Sequence, residues 1–235
     1  TRDDEQVIEV RGKPAALIQF VPGISIDEPD EAEARAVGIA LANLHEATGD
    51  FAPSREAELS LPRCIAMLRD HQDRLAEIHA ELPRILPDCG AGLLDEWPAG
   101  LPQGTIHSDL FPDNVLFVDG EVTGLIDFYF ACTGPFTYDL AVTHAAWSFG
   151  VDDNAFGPEI GAALMQGYES QRVLSGAERS ALPVFAQAAC LRFIATRVED
   201  WFATPADGLV RRKDPMEFAR RLAFYRERGE AAFRL

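Results

Sequence analysis

Three oxygen-bearing side chains follow one another at short intervals in the segment 105–139. Asp109 comes two positions after His107, Asn114 comes five after Asp109, and Asp127 ends the next apolar run. A carboxylate can orient an attacking hydroxyl group and accept its proton, as phosphoryl transfer requires. A second carboxylate and an amide oxygen suit Mg²⁺, a hard cation. The pattern therefore predicts Asp109 as a base, with Asn114 and Asp127 as ligands of a Mg²⁺ ion.

A predicted β-hairpin brings the two candidate ligands together. The segment 114–118 is rich in strand-forming residues, Asp119-Gly120 is a favoured two-residue turn, and 121–126 returns as the partner strand. Paired strands place their ends side by side. Asn114 and Asp127 are therefore expected at the same end of this hairpin, close enough to share one ion.

The simpler alternative is that these polar residues only shape turns. Asp109 and Asp113 are common turn residues, and each taken alone would be explained in that way. The whole set favours a site, because its order and spacing match a kinase catalytic loop followed by the first two residues of D-F-G. His107 is predicted to hold the loop backbone by hydrogen bonds and not to contact substrate.

The segment resembles the aminoglycoside-phosphotransferase-like kinases, a small-molecule branch of the protein-kinase fold. Within them it is most similar to the bacterial homoserine kinases built on that fold. The resemblance covers nearly the whole chain and is carried by the motifs HSDLFPDNVLF, GLIDFYFAC, YDLA, LRFIATRVEDW and RRKDPMEF. It implies an α/β (α+β) protein-kinase-like fold, with a partial β-rich N-terminal lobe and a mainly helical C-terminal lobe.

The resemblance also implies a division of the chain. Residues 1–22 are expected to be the remnant of the N-terminal lobe with its hinge, and 23–235 the C-terminal lobe, with the catalytic hairpin at 105–127. The sequence has no G-x-G-x-x-G, and its two lysines, Lys13 and Lys213, are placed in a turn and beside a helix start. The family's glycine-rich loop and phosphate-binding lysine are therefore missing. We expect that the chain starts partway through the N-terminal lobe.

Periodicity and capping signals predict mostly helix after residue 30. Ser60 is expected to cap the second helix, Ser175 and Glu178 form a capping box, and Pro183 is expected to start a further helix. The predicted strands are 6–10 and 15–20, around a turn at 11–14. The predicted helices are 31–47, 61–78, 93–97 and 183–202, and two more that start at 137 and at 215.

Two further roles follow from the resemblance. The backbone of Gln19, Phe20 and Val21 is implied to form the hinge that hydrogen-bonds adenine, and the alternative is an ordinary strand-to-helix loop. Asp139 lies in the first turn of a predicted helix, where an acidic residue favours the helix dipole. The resemblance implies that Asp139 also braces the catalytic loop through backbone hydrogen bonds, a role we prefer to direct catalysis.

Three charged residues of the 183–202 helix are candidates for binding the substrate. Arg192 and Asp200 lie off the apolar stripe of this helix and Arg197 lies at its margin. Arginine binds planar carboxylates with two hydrogen bonds. Homoserine has a carboxylate and an ammonium group, so the resemblance implies that these three residues bind both. For each one alone, a charge on the helix surface is the alternative.

The composition limits the class of protein. The 235 residues are 47% hydrophobic and 25% charged, which suits one large domain or two small ones, and the net charge is −17. Such a charge disfavours nucleic acid and anionic membranes as partners. The four cysteines are scattered, and no apolar run approaches a membrane span, so we expect a cytoplasmic protein with reduced thiols.

Together these features predict a kinase that uses ATP and Mg²⁺ and phosphorylates the hydroxyl of a small metabolite, with L-homoserine implied by the resemblance. A protein kinase is disfavoured, because Tyr129 stands where D-F-G has Gly and no A-P-E segment follows. Two alternatives remain: a kinase of the same fold that acts on an aminoglycoside, choline or a related alcohol, and a non-catalytic kinase-like binding protein. The sequence predicts no oligomeric state.

Overall fold

The computed structural model describes residues 7–85, 89–205 and 212–234 of the chain. Within these ranges the strands pair in three separate two-stranded antiparallel sheets. The strands are β1 (Ile8–Val10), β2 (Lys13–Ala15), β3 (Gln103–Ile106), β4 (Val115–Val118), β5 (Glu121–Leu125) and β6 (Cys132–Pro135). The helices are α1 (Glu31–Ala47), α2 (Leu61–Asp70), α3 (Leu75–Ile78), α4 (Leu82–Ile85), α5 (Cys89–Asp95), α6 (Phe136–Trp147), α7 (Pro158–Gln171), α8 (Gly176–Ala203) and α9 (Met216–Arg228).

The core lies mainly among the helices that follow the hairpin, together with the buried faces of α1 and α2. Every residue of α6 is buried except Tyr138, and the middle of α8 is buried on most of its faces. Helix α8 packs against α6 and α9, while α1 packs along α7. This helical body supports the short sheets, whose strands are too few and too short to be stable alone.

Helices α1 and α7 touch through two glycines. A Cβ atom added at Gly38 would overlap the carbonyl oxygen of Leu164, and one added at Gly167 would overlap the carbonyl oxygen of Arg35. Both neighbours are backbone atoms, which cannot swing aside as a side chain can. The two backbones therefore approach each other at a distance that only glycine permits.

We expect Gly167→Ala to destabilise the fold by about 1–3 kcal/mol, because overpacking forces a backbone shift. Urea denaturation monitored by circular dichroism measures this change. Gly176→Ala is the matched control, since a Cβ at Gly176, in the first turn of α8, meets no atom within 4 Å. Equal stability of the two variants would show that the α1–α7 contact is looser than described.

Two predicted helix starts are confirmed, and the last helix, predicted to start at Pro215, starts one residue later at Met216. Helix α1 has the predicted bounds of 31–47. The side chains of Ser175 and Glu178 form the predicted reciprocal capping box at the start of α8. At α9, Asp214 Oδ1 accepts a hydrogen bond from the N–H of Met216 at 2.8 Å.

The prediction that Pro183 starts a helix is wrong. Helix α8 runs without interruption from Gly176 to Ala203, and Pro183 lies inside it. Proline lacks an N–H, so the carbonyl of Arg179 loses its usual partner in the helix. The capping box and the burial of the following turns stabilise the helix enough to accommodate that loss.

The N-terminal strands are shorter than predicted. The turn between them is Arg11-Gly12, where both residues have positive φ angles of 52° and 77°. Lys13, which the sequence analysis placed in the turn, instead starts β2 and pairs with Val10. The second strand ends at Ala15 and not near 20, because within the described residues no strand pairs with 16–20.

The predicted second helix is also wrong in its extent. It is divided into α2, a 3₁₀ turn at Gln72–Arg74, and α3. Ser60 precedes α2, but its side chain makes no capping hydrogen bond. The apolar stripe continues across the break, because Leu68 and Leu75 are both buried, and this continuity suggested one helix. The short helix predicted at 93–97 is α5, which ends at Asp95.

Helix α8 has the length and the hydropathy of a membrane span, contrary to the expectation that no segment comes close. Its most apolar 18-residue window has a mean hydropathy of 1.3, and 72% of that window is buried inside the protein. Burial of this kind is what the central helix of a globular core shows.

Candidate active site

One buried carboxylate holds the loop that follows β3. Asp139 Oδ2 accepts a hydrogen bond from the N–H of His107 at 2.7 Å, and its Oδ1 accepts one from the N–H of Ser108 at 2.6 Å. Ser108 has a φ angle of 66°, which residues with a side chain rarely adopt. The two hydrogen bonds stabilise that conformation. Asp139 thus contacts the loop backbone, as the resemblance implied.

Asp139 is itself held in place by a second buried group. Its Oδ2 lies 3.0 Å from Nε2 of His45, whose Nδ1 lies 2.8 Å from the hydroxyl of Tyr168. Burial opposes the charge on Asp139, but hydrogen bonds from His45 and from the His107 backbone outweigh it and hold the pKa of Asp139 below its usual value. Asp139 is therefore ionised at neutral pH.

His107 ties the loop to the end of the hairpin. Its Nε2 lies 2.9 Å from the carbonyl oxygen of Ile126, and its Nδ1 accepts a hydrogen bond from the N–H of Asp109 at 3.3 Å. Because a carbonyl only accepts hydrogen bonds, Nε2 carries the proton. His107 therefore connects the residue before Asp127 to Asp109, in the backbone-holding position that the sequence predicted.

The hairpin has the predicted turn. Asp119 and Gly120 have φ angles of 51° and 81°, as a two-residue hairpin turn between β4 and β5 requires. Each strand is one residue shorter than predicted, because Asn114 belongs to a 3₁₀ turn at Pro112–Asn114 and Ile126 follows the end of β5. The N–H of Ile126 donates to the carbonyl of Asn114 at 3.0 Å, which still joins the two ends.

The side chains of Asn114 and Asp127 are set by this local geometry. Asn114 Nδ2 donates to the carbonyl oxygen of Asp109 at 2.8 Å, so its amide nitrogen is fully directed at the loop. Asp127 has φ and ψ angles of 61° and 58°, a left-handed conformation that aspartate tolerates better than most residues. This conformation turns the chain directly after β5, at the point where the ligand pair was predicted.

The base candidate, the two ligand candidates and the three substrate candidates line one cavity of about 330 Å³, which we call the catalytic cavity. Its other lining residues come from the segments before α2 and after β5, from the loop, from α8 and from the segment before α9. The complete lining is Leu59, Asp109, Phe111, Asp113, Asn114, Asp127, Phe130, Arg192, Phe193, Thr196, Arg197, Asp200 and Lys213.

Arg192 lies beside Asp109 in the catalytic cavity, where the substrate candidates were predicted to lie, and it is buried. It is 3% exposed, donates from its NH1 group to the carbonyl of Ser108, and donates from NH2 to Asp109 Oδ1 at 3.2 Å. Burial raises the pKa of Asp109, and the charges of Arg192 and His107 oppose that rise. Arg192 thus fixes the position of the base.

The other two substrate candidates are nearer to the surface. Arg197 donates to the carbonyl of Asp214 at 2.6 Å and to Oε2 of Glu217 at 2.7 Å. Asp200 is exposed and lines the same cavity one helical turn further along α8. A cationic and an anionic side chain therefore face one cavity with the base.

Lys213 is a lining residue that the sequence did not indicate. Its position beside a helix start predicts no site role, but it lines the catalytic cavity with Asp109. Phe130 and Asp113 were likewise not selected as lining residues. No local pattern could have selected Lys213, since only the packing of α9 on α8 brings it there. For Asp113 and Phe130, their places within the two motifs were the available signal.

The three predicted hinge residues do not line the catalytic cavity. Gln19 and Phe20 are exposed, and Phe20 is 84% exposed. Val21 packs against Gly124 of β5, where an added Cβ would lie 2.7 Å from Val21 Cγ1. The segment after it is tied to the hairpin, because Ile24 pairs with Phe117.

The residues present fit a hard metal ion. Because the amide nitrogen of Asn114 is bonded to the loop, its oxygen is left to act as a ligand beside the Asp127 carboxylate. Among the residues that the structure describes, no three His, Cys, Asp or Glu side chains converge as a metal cluster. Such a pair suits Mg²⁺, which commonly takes one or two protein ligands and completes its shell with phosphates and water.

Solved structures of small-molecule kinases share this fold. The structure of an amicoumacin kinase in complex with AMP-PNP superposes with a TM-score of 0.64 at 16% identity, over 97% of this chain and 70% of that one. A Plasmodium vivax ethanolamine kinase superposes with a TM-score of 0.61 at 13% identity, over 88% and 64%. The predicted protein-kinase-like fold is confirmed. These likenesses define the class of the chain by its fold, that of the protein-kinase-like proteins.

The sequence comparisons place the chain within this class. The profile of the phosphotransferase enzyme family (APH) matches residues 2–179. A homoserine kinase of Phenylobacterium zucineum is 45% identical over 96% of this chain and 69% of its own length. A homoserine kinase of Caulobacter sp. (strain K31) is 44% identical over 93% of this chain and 68% of its own length. The chain belongs to the phosphotransferase enzyme family.

Proposed function

We propose that the protein transfers the γ-phosphoryl group of ATP to the hydroxyl of L-homoserine and forms O-phospho-L-homoserine, a step of threonine biosynthesis. The similarity to proteins named homoserine kinases, at 42–45% identity over most of the chain, carries this proposal. The catalytic cavity supports it, because the cavity presents arginine and aspartate side chains beside the candidate base. These are the partners that a zwitterionic alcohol needs.

Asp109 is the proposed base. Its carboxylate orients the homoserine hydroxyl and accepts its proton while the hydroxyl oxygen bonds to the γ-phosphorus, and the bond from that phosphorus to ADP breaks. Arg192, which also donates to the Ser108 carbonyl, limits the rotation of Asp109. A Mg²⁺ ion held by Asn114 and Asp127 would neutralise charge on the phosphates. Lys213, which lines the same cavity, is a candidate partner for a phosphate oxygen.

Arg197 is the proposed principal partner of the substrate carboxylate, and Asp200 that of the ammonium group. Arg192 already donates to Asp109 and Ser108, so it acts on the carboxylate mainly by its charge. Arg197 forms an ion pair with Glu217, whose side chain is 41% exposed. The substrate carboxylate can therefore take the place of Glu217 with little change in the core. Arg197 and Asp200 are three residues apart on α8, so they share one face of that helix.

The nucleotide base is proposed to bind at Gln19, Phe20 and Val21. The exposed apolar side chains around this segment support the proposal, since Leu17 is 94% and Phe20 84% exposed. We further propose that residues 1–22 belong to the N-terminal lobe and 23–235 to the C-terminal lobe. As an enzyme of amino-acid biosynthesis, the protein is proposed to act in the cytoplasm.

A substrate panel tests the function. The purified protein is assayed for ADP formation with L-homoserine, choline and an aminoglycoside at equal concentrations, with ATP and Mg²⁺. We expect the highest kcat/KM for L-homoserine. A higher value for choline or the aminoglycoside would contradict the proposed acceptor and leave the class of enzyme intact. No turnover with any alcohol, despite nucleotide binding, would support a binding protein instead.

Arg197→Ala is expected to raise the KM for L-homoserine by about 10- to 150-fold, because a charge-assisted hydrogen bond contributes about 1.5–3 kcal/mol. The KM for ATP should hardly change. Steady-state kinetics with each substrate varied in turn measures both values. Arg179→Ala is the control, because Arg179 lies at the other end of α8 and pairs with Glu169. An unchanged KM for homoserine would remove Arg197 from the substrate site.

A further inference from the structure

A second cavity adjoins the catalytic cavity close to the candidate base. It has a volume of about 420 Å³ and shares Leu59, Phe130 and Arg192 with the catalytic cavity, whereas Asp109 lines the catalytic cavity alone. We call it the apolar cavity. Residues that line both cavities lie between them. Leu59, Phe130 and Arg192 therefore form a wall between the two spaces, which we call the partition.

The apolar cavity offers little to a zwitterionic amino acid. Its large apolar lining residues are Leu61, Leu94, Trp97, Ile106, Phe130 and Tyr138. Glu58 also lines it, but this side chain is 50% exposed and pairs with Arg55 at 3.8 Å. Burial of polar groups without partners is costly. The cavity therefore suits an apolar substituent of a ligand whose charged groups stay in the catalytic cavity.

The partition is held on both sides. The guanidinium carbon of Arg192 lies 5.0 Å from the centre of the Phe130 ring. The segment that carries Leu59 is tied to the segment that carries Phe130, because Arg55 donates to the carbonyl of Tyr129 at 2.7 Å. The side chains of Leu59 and Phe130 are both partly buried. They are thus fixed parts of the wall and are not free to swing away when a ligand enters.

Helix α8 orients the acceptor relative to this partition. The acceptor hydroxyl is proposed to lie at Asp109, which accepts a hydrogen bond from Arg192. Arg197 and Asp200, the proposed partners of the charged groups, follow Arg192 by five and eight residues, or about 7.5 and 12 Å along a helix. Neither of them lines the apolar cavity. The hydroxyl-bearing carbon therefore faces the partition, and the charged end of the acceptor points away from it.

We propose that Leu59 and Phe130 determine which alcohols the enzyme accepts, by excluding an apolar substituent on the hydroxyl-bearing carbon. This inference rests on the proposed function. A primary alcohol carries only hydrogens at that carbon and fits against the partition. In a secondary alcohol, the substituent on one side of the carbon collides with Leu59 or Phe130. The hydroxyl is then displaced from Asp109, and a displacement of about 1 Å lowers a rate by about 10²-fold.

Shortening a partition side chain should open the apolar cavity to such a substituent. The test compares L-homoserine with the two epimers that carry a phenyl group on the hydroxyl-bearing carbon (4-phenyl-L-homoserine). In Leu59→Ala and Phe130→Ala, the ratio of kcat/KM for one epimer to kcat/KM for L-homoserine should rise at least about ten-fold, since one methylene in an apolar pocket already changes kcat/KM about 10- to 200-fold. A ratio within one variant cancels any general loss of activity, such as that from removing the ring beside Arg192.

Leu61→Ala is the matched control. Leu61 lines the apolar cavity but not the catalytic cavity, so its replacement enlarges the apolar cavity and leaves the partition intact. The ratio should keep its wild-type value. An equal rise in Leu61→Ala and Leu59→Ala, an equal rise for both epimers, or an unchanged ratio in both partition variants would overturn the proposal.

Acceptor binding provides a readout that does not depend on turnover. Isothermal titration calorimetry without nucleotide should show that Leu59→Ala binds the favoured epimer at least about ten-fold more tightly than the wild type does. Equal affinities would contradict the proposal. If the wild type phosphorylates L-homoserine and the ratio does not change, only the role of the partition is wrong. If the wild type does not phosphorylate L-homoserine, the proposed function is wrong, and this inference with it.

Discussion

Asp109→Asn is expected to lower kcat by about 10²–10⁴-fold, the usual contribution of a general base, with nucleotide affinity nearly unchanged. An amide oxygen can still accept the hydrogen bond from Arg192 that Asp109 Oδ1 accepts at 3.2 Å. The side chain therefore keeps its place, but it can no longer take the proton of the acceptor hydroxyl. Single-turnover kinetics and nucleotide titration measure the two quantities separately.

Asp119→Asn is the control for this experiment. Asp119 lies in the turn of the same hairpin at a φ angle of 51°, a conformation that asparagine adopts readily. Its kcat should equal that of the wild type. If both Asp109→Asn and Asp119→Asn retain nearly full activity, another group accepts the proton and the proposed base is wrong.

Asp139→Asn is expected to destabilise the protein by about 3–5 kcal/mol, the cost of removing one partner from a buried charged network. The NH₂ group of the new amide would face a hydrogen-bond donor, either the N–H of His107, the N–H of Ser108 or the ring of His45, and could not accept from it. Urea denaturation at neutral pH measures the loss. Asp152→Asn, at an exposed position, should change stability little.

The stability difference between the wild type and Asp139→Asn should depend on pH in a defined direction. The pKa of Asp139 is lowered by folding, so the carboxylate stabilises the folded state at every pH above its unfolded pKa of about 3.9. The contribution is lost as the pH falls through the lower, folded pKa. The gap between wild type and Asp139→Asn should therefore be constant from about pH 5 to 8 and narrow only below about pH 4. A gap that closes between pH 8 and 6 would contradict the assignment.

The placement of the locally encoded candidate residues in one cavity could be predicted from the sequence, while their roles stay predictions. Asp109, Asn114 and Asp127 lie within one loop and one hairpin, and the Asp119-Gly120 turn fixes how the hairpin closes. Their convergence then follows from the short-range geometry of paired strands. The fold class could be predicted from the catalytic-loop and hairpin motifs, because the sequence also predicts the helices that accompany them.

The parts that depend on distant contacts could not be obtained in this way. Arg192 was a candidate for the site, but its burial could not be predicted from periodicity, since it depends on Asp109, 83 positions earlier in the chain, which accepts its hydrogen bond. Lys213 reaches the catalytic cavity only through the packing of α9. The apolar residues at 16–20 suggested a strand, but a strand also needs a partner, and among the described residues none pairs with them.

The close approach of α1 and α7 at Gly38 and at Gly167 limits how the molecule can move. Sliding α1 along α7 would drive main-chain atoms of one helix into carbonyl oxygens of the other, so shear between these helices is blocked and they move as one body. Helix α1 is the first helix after the exposed segment 16–20. We therefore expect any opening and closing over a nucleotide to come from main-chain rotations ahead of α1, around the pairing of Ile24 with Phe117. A stiff helical body with rotation confined to one connecting stretch would keep Asp109, Asn114 and Asp127 in fixed register during turnover.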